Sequence, residues 1–225
     1  MNYNALFRIP TIRENYSRFR FIYFRRFGKL RSFSDLANVN KSSYSKKAFK
    51  QFVSIGGRIT FLVAAVESSA RPKKTDKLLS LGPRFESELF GYRAIGYQPK
   101  NIFALDNFAY SKLVTLGNMH KMDFPDSSFN IVVGGWIIAY SNKPISAMKE
   151  IYRVTQTKGL AIISWDIPEN IDDSFDCVDK IFLPMVNGNR ISFNKLIQNW
   201  KIHSLFIGNT SWSSERRTLL VVLRK

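Results

Sequence analysis

Imidazole and thiol chemistry have few carriers in this chain. Cys177 is the single cysteine among 225 residues, so neither an intramolecular disulfide framework nor a cysteine-based zinc cage can form. The two histidines, His120 and His203, lie far apart without any HExxH-type ligand spacing, so no metal site is expected. The chemistry present in quantity is cationic. The chain carries 34 Lys and Arg against 17 Asp and Glu, a net charge of +17. Most of that excess lies at one end: residues 1–77 hold 17 basic and 4 acidic side chains. There Arg8, Arg13, Arg18, Arg20, Arg25, Arg26 and Arg31 alternate with Phe7, Tyr16, Phe19, Phe21, Tyr23, Phe24 and Phe27. Guanidinium groups pair with phosphates while aromatic rings stack or bury, which suits nucleic acid or an anionic membrane surface. Two other readings stand beside it: an Arg-rich targeting peptide, or an extension that packs its aromatics on the main domain and leaves its arginines solvated.

The elements that would position such groups follow from periodicity. Phe49, Phe52 and Val53 give helical spacing between Ser43 and Val66, with an interruption expected at Gly56-Gly57. Ser68 to Lys77 is polar, carries Pro72 and reads as a linker, so the expected domains are residues 1–77 and 78–225. Beyond it, short apolar runs alternate with helical stretches. Strands are expected at Leu78–Leu81, Asn101–Leu105, Leu113–Leu116, Asn130–Gly134 and Leu160–Trp165. Between them, Glu86–Ile95 reads as a helix closed by Gly96. A second helix is capped by Ser141 or Asn142, with Pro144 in its first turn and Ile145, Met148, Ile151 and Tyr152 on one side. That alternation means a parallel sheet with crossover helices. Lys201–Ile207 and Arg217–Leu223 flank a polar turn and read as a closing antiparallel hairpin. No apolar run reaches the roughly 20 residues of a membrane span. No signal-peptide core is visible, so a cytoplasmic protein, peripheral to membrane at most, is expected.

The stretch Gly117 to Gly159, GNMHKMDFPDSSFNIVVGGWIIAYSNKPISAMKEIYRVTQTKG, resembles the class I S-adenosylmethionine-dependent methyltransferases of the type 11 kind. There a G-D-M-x-x-x-P-F-x-D-x-S-F-D segment leads to a helix ending E-x-x-R-V-x-K-x-G-G. The resemblance covers about 150 residues and implies a Rossmann-like α/β fold. Its mostly parallel seven-stranded sheet would end in an antiparallel hairpin, with the basic helical N-terminal extension added. It also implies S-adenosyl-L-methionine as cofactor and methyl transfer to an acceptor that no motif here identifies.

Under that resemblance the site residues are Gly82 in the turn after the first strand, Asp106 ending the second, where a carboxylate accepts the ribose hydroxyls, and Asn118 and Met119 beside the adenine. Gly135 and Trp136 follow the fourth strand, where methyl donor and acceptor meet. The first motif departs from the family: GPRFESE has one glycine where three are usual. Glu86 and Glu88 are then the carboxylates that could hold the cofactor's ammonium, or they simply favour a helix N-terminus. Asp106 could equally form a turn with Asn107, and Trp136 could be core. If the acceptor is a hydroxyl, His120 or Asp123 is the nearest base, although a lone histidine is more often structural. The competing reading is a catalytically silent scaffold of the same fold, whose basic N-terminus binds nucleic acid or anionic membrane.

Overall fold

A computed structural model describes residues 3–27, 31–32, 52–83, 85–168, 182–184, 190–208 and 216–225. The helices are α1 (Pro10–Phe27), α2 (Phe52–Ser69), α3 (Ser87–Ala94), α4 (Pro144–Val154) and the short α5 (Phe193–Leu196). The strands are β1 (Arg31–Ser32), β2 (Leu78–Leu81), β3 (Ile102–Asp106), β4 (Phe108–Ala109), β5 (Thr115–Leu116), β6 (Phe129–Gly135) and β7 (Thr155–Pro168). They continue with β8 (Phe182–Pro184), β9 (Arg190–Ser192), β10 (Lys201–Gly208) and β11 (Arg216–Arg224). Seven of them make one mostly parallel sheet in the order β10-β11-β7-β6-β2-β3-β5. The expected α/β sheet with its terminal antiparallel hairpin is therefore present. The chain divides into two compact units, Met1–Asn118 and Met119–Lys225, each taken in turn.

In the first unit, β2 and β3 run parallel, with Leu78 opposite Ile102 and Leu81 opposite Leu105. All four residues of β2 are buried, as its unbroken apolar run requires of a strand covered on both faces. The crossover between them is α3, which ends in a Schellman motif: Tyr97 N–H donates to Tyr92 O and Gly96 N–H to Arg93 O. Gly96 has φ +119°, which is why glycine stops the helix there. The third strand is shorter than its apolar run suggests. Only Thr115–Leu116 pairs with β3, and Phe108–Ala109 turns aside to pair antiparallel with Arg31–Ser32.

Two expectations for the N-terminal region need correction. Helix α2 runs unbroken through Gly56-Gly57, because a glycine pair costs a helix only about 2 kcal/mol and the following turns bury Ile59, Leu62, Val63 and Val66. Its expected start, residues 43–51, lies outside the described residues. Nor does the N-terminal helix α1 sort cleanly into packed aromatics and solvated arginines. Arg13 and Ser17 are buried with Phe21, whereas Tyr16, Phe19, Tyr23 and Phe27 are exposed.

In the second unit, β6, α4 and β7 form the other parallel crossover, with Ile131 opposite Leu160 and Gly135 opposite Ser164. Helix α4 buries Pro144, Ala147, Met148, Ile151 and Val154. Ile145 and Tyr152 sit at the edges of that face, so the apolar stripe is rotated from its expected position. The N-cap is Lys143 with no side-chain cap; Ser141 Oγ instead accepts the Lys143 N–H at 3.0 Å, one step ahead of the helix. β7 pairs antiparallel with β11 from Leu160–Arg224 to Pro168–Arg216, and β11 with β10, closing the hairpin.

Candidate cofactor site

The first unit brings three of the expected positions to one end of its parallel strands. Gly82 leaves β2 with φ +64°, a left-handed turn that disfavours any side chain, and its N–H donates to Leu105 O at 2.8 Å. Asp106 ends β3, half-exposed, and its Oδ1 accepts the Phe108 N–H at 3.2 Å. Part of this carboxylate thus shapes the Asp106-Asn107 turn. Gly117 N–H donates to Asp106 O at 3.0 Å, which draws the end of β5 and the half-exposed Asn118 alongside. A Cβ at Gly117 would stand 2.5 Å from Leu105 Cδ1, so glycine keeps this loop pressed against β3.

The two glutamates of the GPRFESE loop are differently employed. Glu86 occupies the N-cap position of α3 but makes no side-chain cap. Its fully buried carboxylate instead takes a two-pronged guanidinium from Arg20 of α1, at 2.5 and 3.0 Å, and the Ser111 hydroxyl. Its own N–H donates to Tyr110 Oη at 3.0 Å, and the next N–H, of Ser87, donates to Ser17 Oγ at 3.0 Å. Phe21 packs edge-on against both Phe85 and Tyr110. One turn of α1 therefore clasps the loop from above.

Glu88 Oε1 accepts the Ser80 hydroxyl at 2.6 Å and the Tyr92 hydroxyl at 2.9 Å. Burial pushes this carboxyl above its ordinary range, against the smaller opposing effect of those two donors. A raised carboxyl contributes stability below its unfolded pKa of 4.5 that is lost as pH rises through the folded value. Glu88→Gln keeps the one oxygen that accepts both hydroxyls and cannot ionise. The variant should therefore gain stability relative to the parent as pH rises from 4.5 to neutrality, measured as urea midpoints across that range. A parallel pH dependence in both proteins would place Glu88 ionised in the fold.

In the second unit Met119 and His120 are half-exposed and Asp123 is exposed. His120 Nε2 lies 2.6 Å from the buried Ser141 Oγ. Burial first, then the charge of Lys143, holds the imidazole below its usual value, so the ring is neutral at pH 7, the form a proton acceptor needs. Among the described residues no such partner is seen for Asp123, which stands between anchored residues: Met122 N–H donates to Glu150 at 2.7 Å and Arg153 donates to Phe124 O at 2.8 Å. At the end of β6, Gly135 is half-exposed, and Trp136 is buried in a left-handed conformation, φ +58°. For a non-glycine residue this costs roughly 1–3 kcal/mol and marks a constrained position. Its N–H donates to Ser164 O at 2.9 Å and its Nε1–H to Asp166 Oδ1 at 2.7 Å.

Sequence reasoning missed Asp166, and it named Ser141 only as a helix cap and Arg20 only as one of the basic series. Asp166 was accessible by the logic that found Asp106, an acidic side chain near the carboxyl end of a strand. Arg20 was accessible from the i, i+4, i+7 spacing of Arg13, Ser17 and Arg20, a polar face opposite an apolar one. Among the described residues no group of His, Cys, Asp and Glu could hold a metal ion.

Residues 91–163 match the sequence model of a family described as a methyltransferase domain. No curated protein sequence matches the chain. Solved structures do. A putative sarcosine dimethylglycine methyltransferase from Galdieria sulphuraria is 13% identical, with a TM-score of 0.55 over 94% of this chain and 98% of that one. A putative methyltransferase from Bacillus halodurans is 14% identical, with a TM-score of 0.54 over 72% and 98%. The chain has the class I methyltransferase fold. In this methyltransferase fold the matched region runs from within α3 into β7 and includes Asp106, Trp136 and the Glu150–Arg153 pair. The [4+2]-cyclase SpnF shares the fold, at 14% identity and a TM-score of 0.53 over 76% and 81%, so chemistry must be argued from the site.

Proposed function

We propose that this chain is an S-adenosylmethionine-dependent methyltransferase acting on a nucleophilic oxygen, nitrogen or carbon. The observation that carries the reading is the conjunction of the left-handed Gly82 turn with Asp106 at the carboxyl end of the adjacent parallel strand, Asp106 lying within the family-matched residues. Open parallel sheets take their ligands there, and the glycine turn lets a ligand approach the backbone. The residues of the first unit fit the adenosine end of the cofactor: Asp106 for the ribose hydroxyls and Asn118 for the adenine. At the methionine end, Glu86 and Glu88 are committed to protein donors, so main-chain carbonyls of the β2 turn are left to serve the ammonium. When bound, the cofactor supplies an electrophilic methyl group on a sulfonium that is already a good leaving group. The chain's own contribution is orientation and exclusion of water; within the second unit, Trp136 is pinned by Asp166 and neutral His120 is a group able to accept a proton from a hydroxyl.

The test is Asp106→Asn, which keeps the acceptor for Phe108 N–H and removes the charge. Affinity for S-adenosylhomocysteine should fall by about 1.5–3 kcal/mol, the range for hydrogen bonds to a charged group, with the melting temperature little changed. An unaltered dissociation constant would put the ribose elsewhere. A second reading, a catalytically silent scaffold, is favoured by one observation: Arg20 and Ser111 occupy the carboxylate of the cofactor loop. It requires that the parent protein bind no S-adenosylhomocysteine.

A further inference from the structure

Helix α1 is amphipathic the wrong way round for a helix that merely covers a core. Its inward face is polar as well as apolar: Arg13 donates to Thr60 Oγ1 at 3.1 Å, Ser17 takes the Ser87 N–H, and Arg20 holds Glu86. Its outward face carries Ile12, Tyr16, Phe19, Ile22, Tyr23 and Phe27, exposed by 40, 41, 64, 48, 50 and 75%. Three of these rings run as a ladder along the axis, Phe19 to Tyr23 at 6.4 Å and Tyr23 to Phe27 at 5.2 Å between centroids. Leu6 and Ile9, 47 and 49% exposed, extend the apolar surface ahead of the helix. A face of this size in water is a binding surface. The hydrogen bonds beneath it fix the helix so that the face cannot roll inward.

We infer that this face docks on an anionic bilayer surface, with α1 lying in the plane of the headgroups. Charge selects the occupant. Arg26 is exposed in the middle of the apolar face, Arg18 lies at its edge, and the one acid of the helix, Glu14, is half-buried on the other side. Residues 1–77 have a net charge of +13, so a second copy of the chain would be repelled. Nucleic acid would use the arginines and rings, but Ile12 and Ile22 have no base to stack on. Interfacial rings, branched aliphatics and arginines whose heads reach up to lipid phosphates are the set that a headgroup region accommodates. No described helix is long and apolar enough to cross a membrane, which fits surface attachment rather than insertion. This inference does not depend on methyl transfer.

The experiment is co-sedimentation of the full-length protein with vesicles of phosphatidylcholine alone or with about one third phosphatidylglycerol, the anionic fraction providing the surface potential. Binding is expected to the anionic vesicles, weak binding to neutral ones, and release on raising the salt. The double variant Phe19→Ser/Phe27→Ser should lose about tenfold or more in partitioning, since each ring removes the transfer energy of a large apolar side chain. Arg26→Glu should lose several-fold. All three positions are exposed, so unchanged melting temperatures are expected and serve as the folding control. The inference is overturned by absence of binding to anionic vesicles, by equal binding to neutral ones, or by variants that bind like the parent. It is also overturned by a dimer that Phe19→Ser/Phe27→Ser dissociates, or by a DNA or RNA oligonucleotide that displaces the vesicles and binds the double variant as well as the parent.

Discussion

Replacing Arg20 by methionine should destabilise the protein by about 3 kcal/mol, the lower end of the cost of stranding one member of a buried ion pair. Glu86 is fully buried while the Arg20 side chain keeps 23% of its exposure, so water can reach part of the deficit. Methionine keeps an unbranched stem but removes the guanidinium that also lies 5.0 Å from the Phe24 ring centre, so the charge pairing is separated from the ring contact by a second substitution. Adding Glu86→Gln should restore at least half of the loss, because the amide no longer needs a cation. Urea unfolding of the parent, the two single variants and the double variant measures this cycle directly. A loss below about 1 kcal/mol in Arg20→Met, the scale of a solvent-exposed pair, would show that α1 is not fastened to the GPRFESE loop through this contact.

The second large effect belongs to Arg153. This one guanidinium donates to Met122 O at 2.9 Å, Phe124 O at 2.8 Å, Glu150 at 2.7 and 2.9 Å, and Asp126 at 2.7 Å. Asp126 is 78% exposed and adds little. In Arg153→Ala the two carbonyls lose the guanidinium and Glu150 keeps only the Met122 N–H, for roughly 2–3 kcal/mol. Arg153→Lys should recover less than half, because an ammonium cannot span a fork of four acceptors. Glu150, held below its ordinary 4.5 first by Arg153, contributes stability that is present above the unfolded pKa and lost as pH falls through the lower folded value. The gap between parent and variant should therefore narrow below pH 4.5 in urea titrations. A constant gap would mean that Glu150 is not coupled to Arg153.

This pair gives physical content to the E-x-x-R-V spacing that suggested the family. Glu150 also accepts the Met122 N–H at 2.7 Å, so the last turns of α4 hold the segment that begins at Met119 and His120. The strands of the main sheet and the helix between its first two were legible because they are apolar stretches closed by residues with a structural reason to stand there: Gly82 with its positive φ after β2, Asp106 with its turn after β3, Gly96 with its Schellman motif after α3. The N-terminal region was not. Composition shows alternating arginines and aromatics without saying which set faces the protein. That choice is made by partners far away in sequence: Thr60 for Arg13, the Ser87 N–H for Ser17, and Glu86 for Arg20. The same long-range pairing hid the fate of Glu86, which the sequence leaves as a candidate for the cofactor's ammonium and the fold gives to Arg20. Trp136 was found by its place after β6, but its left-handed backbone and its bond to Asp166 depend on where β7 ends.

Calorimetric titration of the full-length protein with S-adenosylhomocysteine tests the central claim most directly. The methyltransferase reading predicts saturable binding of one ligand per chain, displaced by S-adenosylmethionine, with a rise in melting temperature that grows with ligand concentration. A well-folded parent that shows neither heat nor a melting shift at millimolar ligand would contradict it, and would leave the chain as a methyltransferase fold kept for some purpose other than methyl transfer.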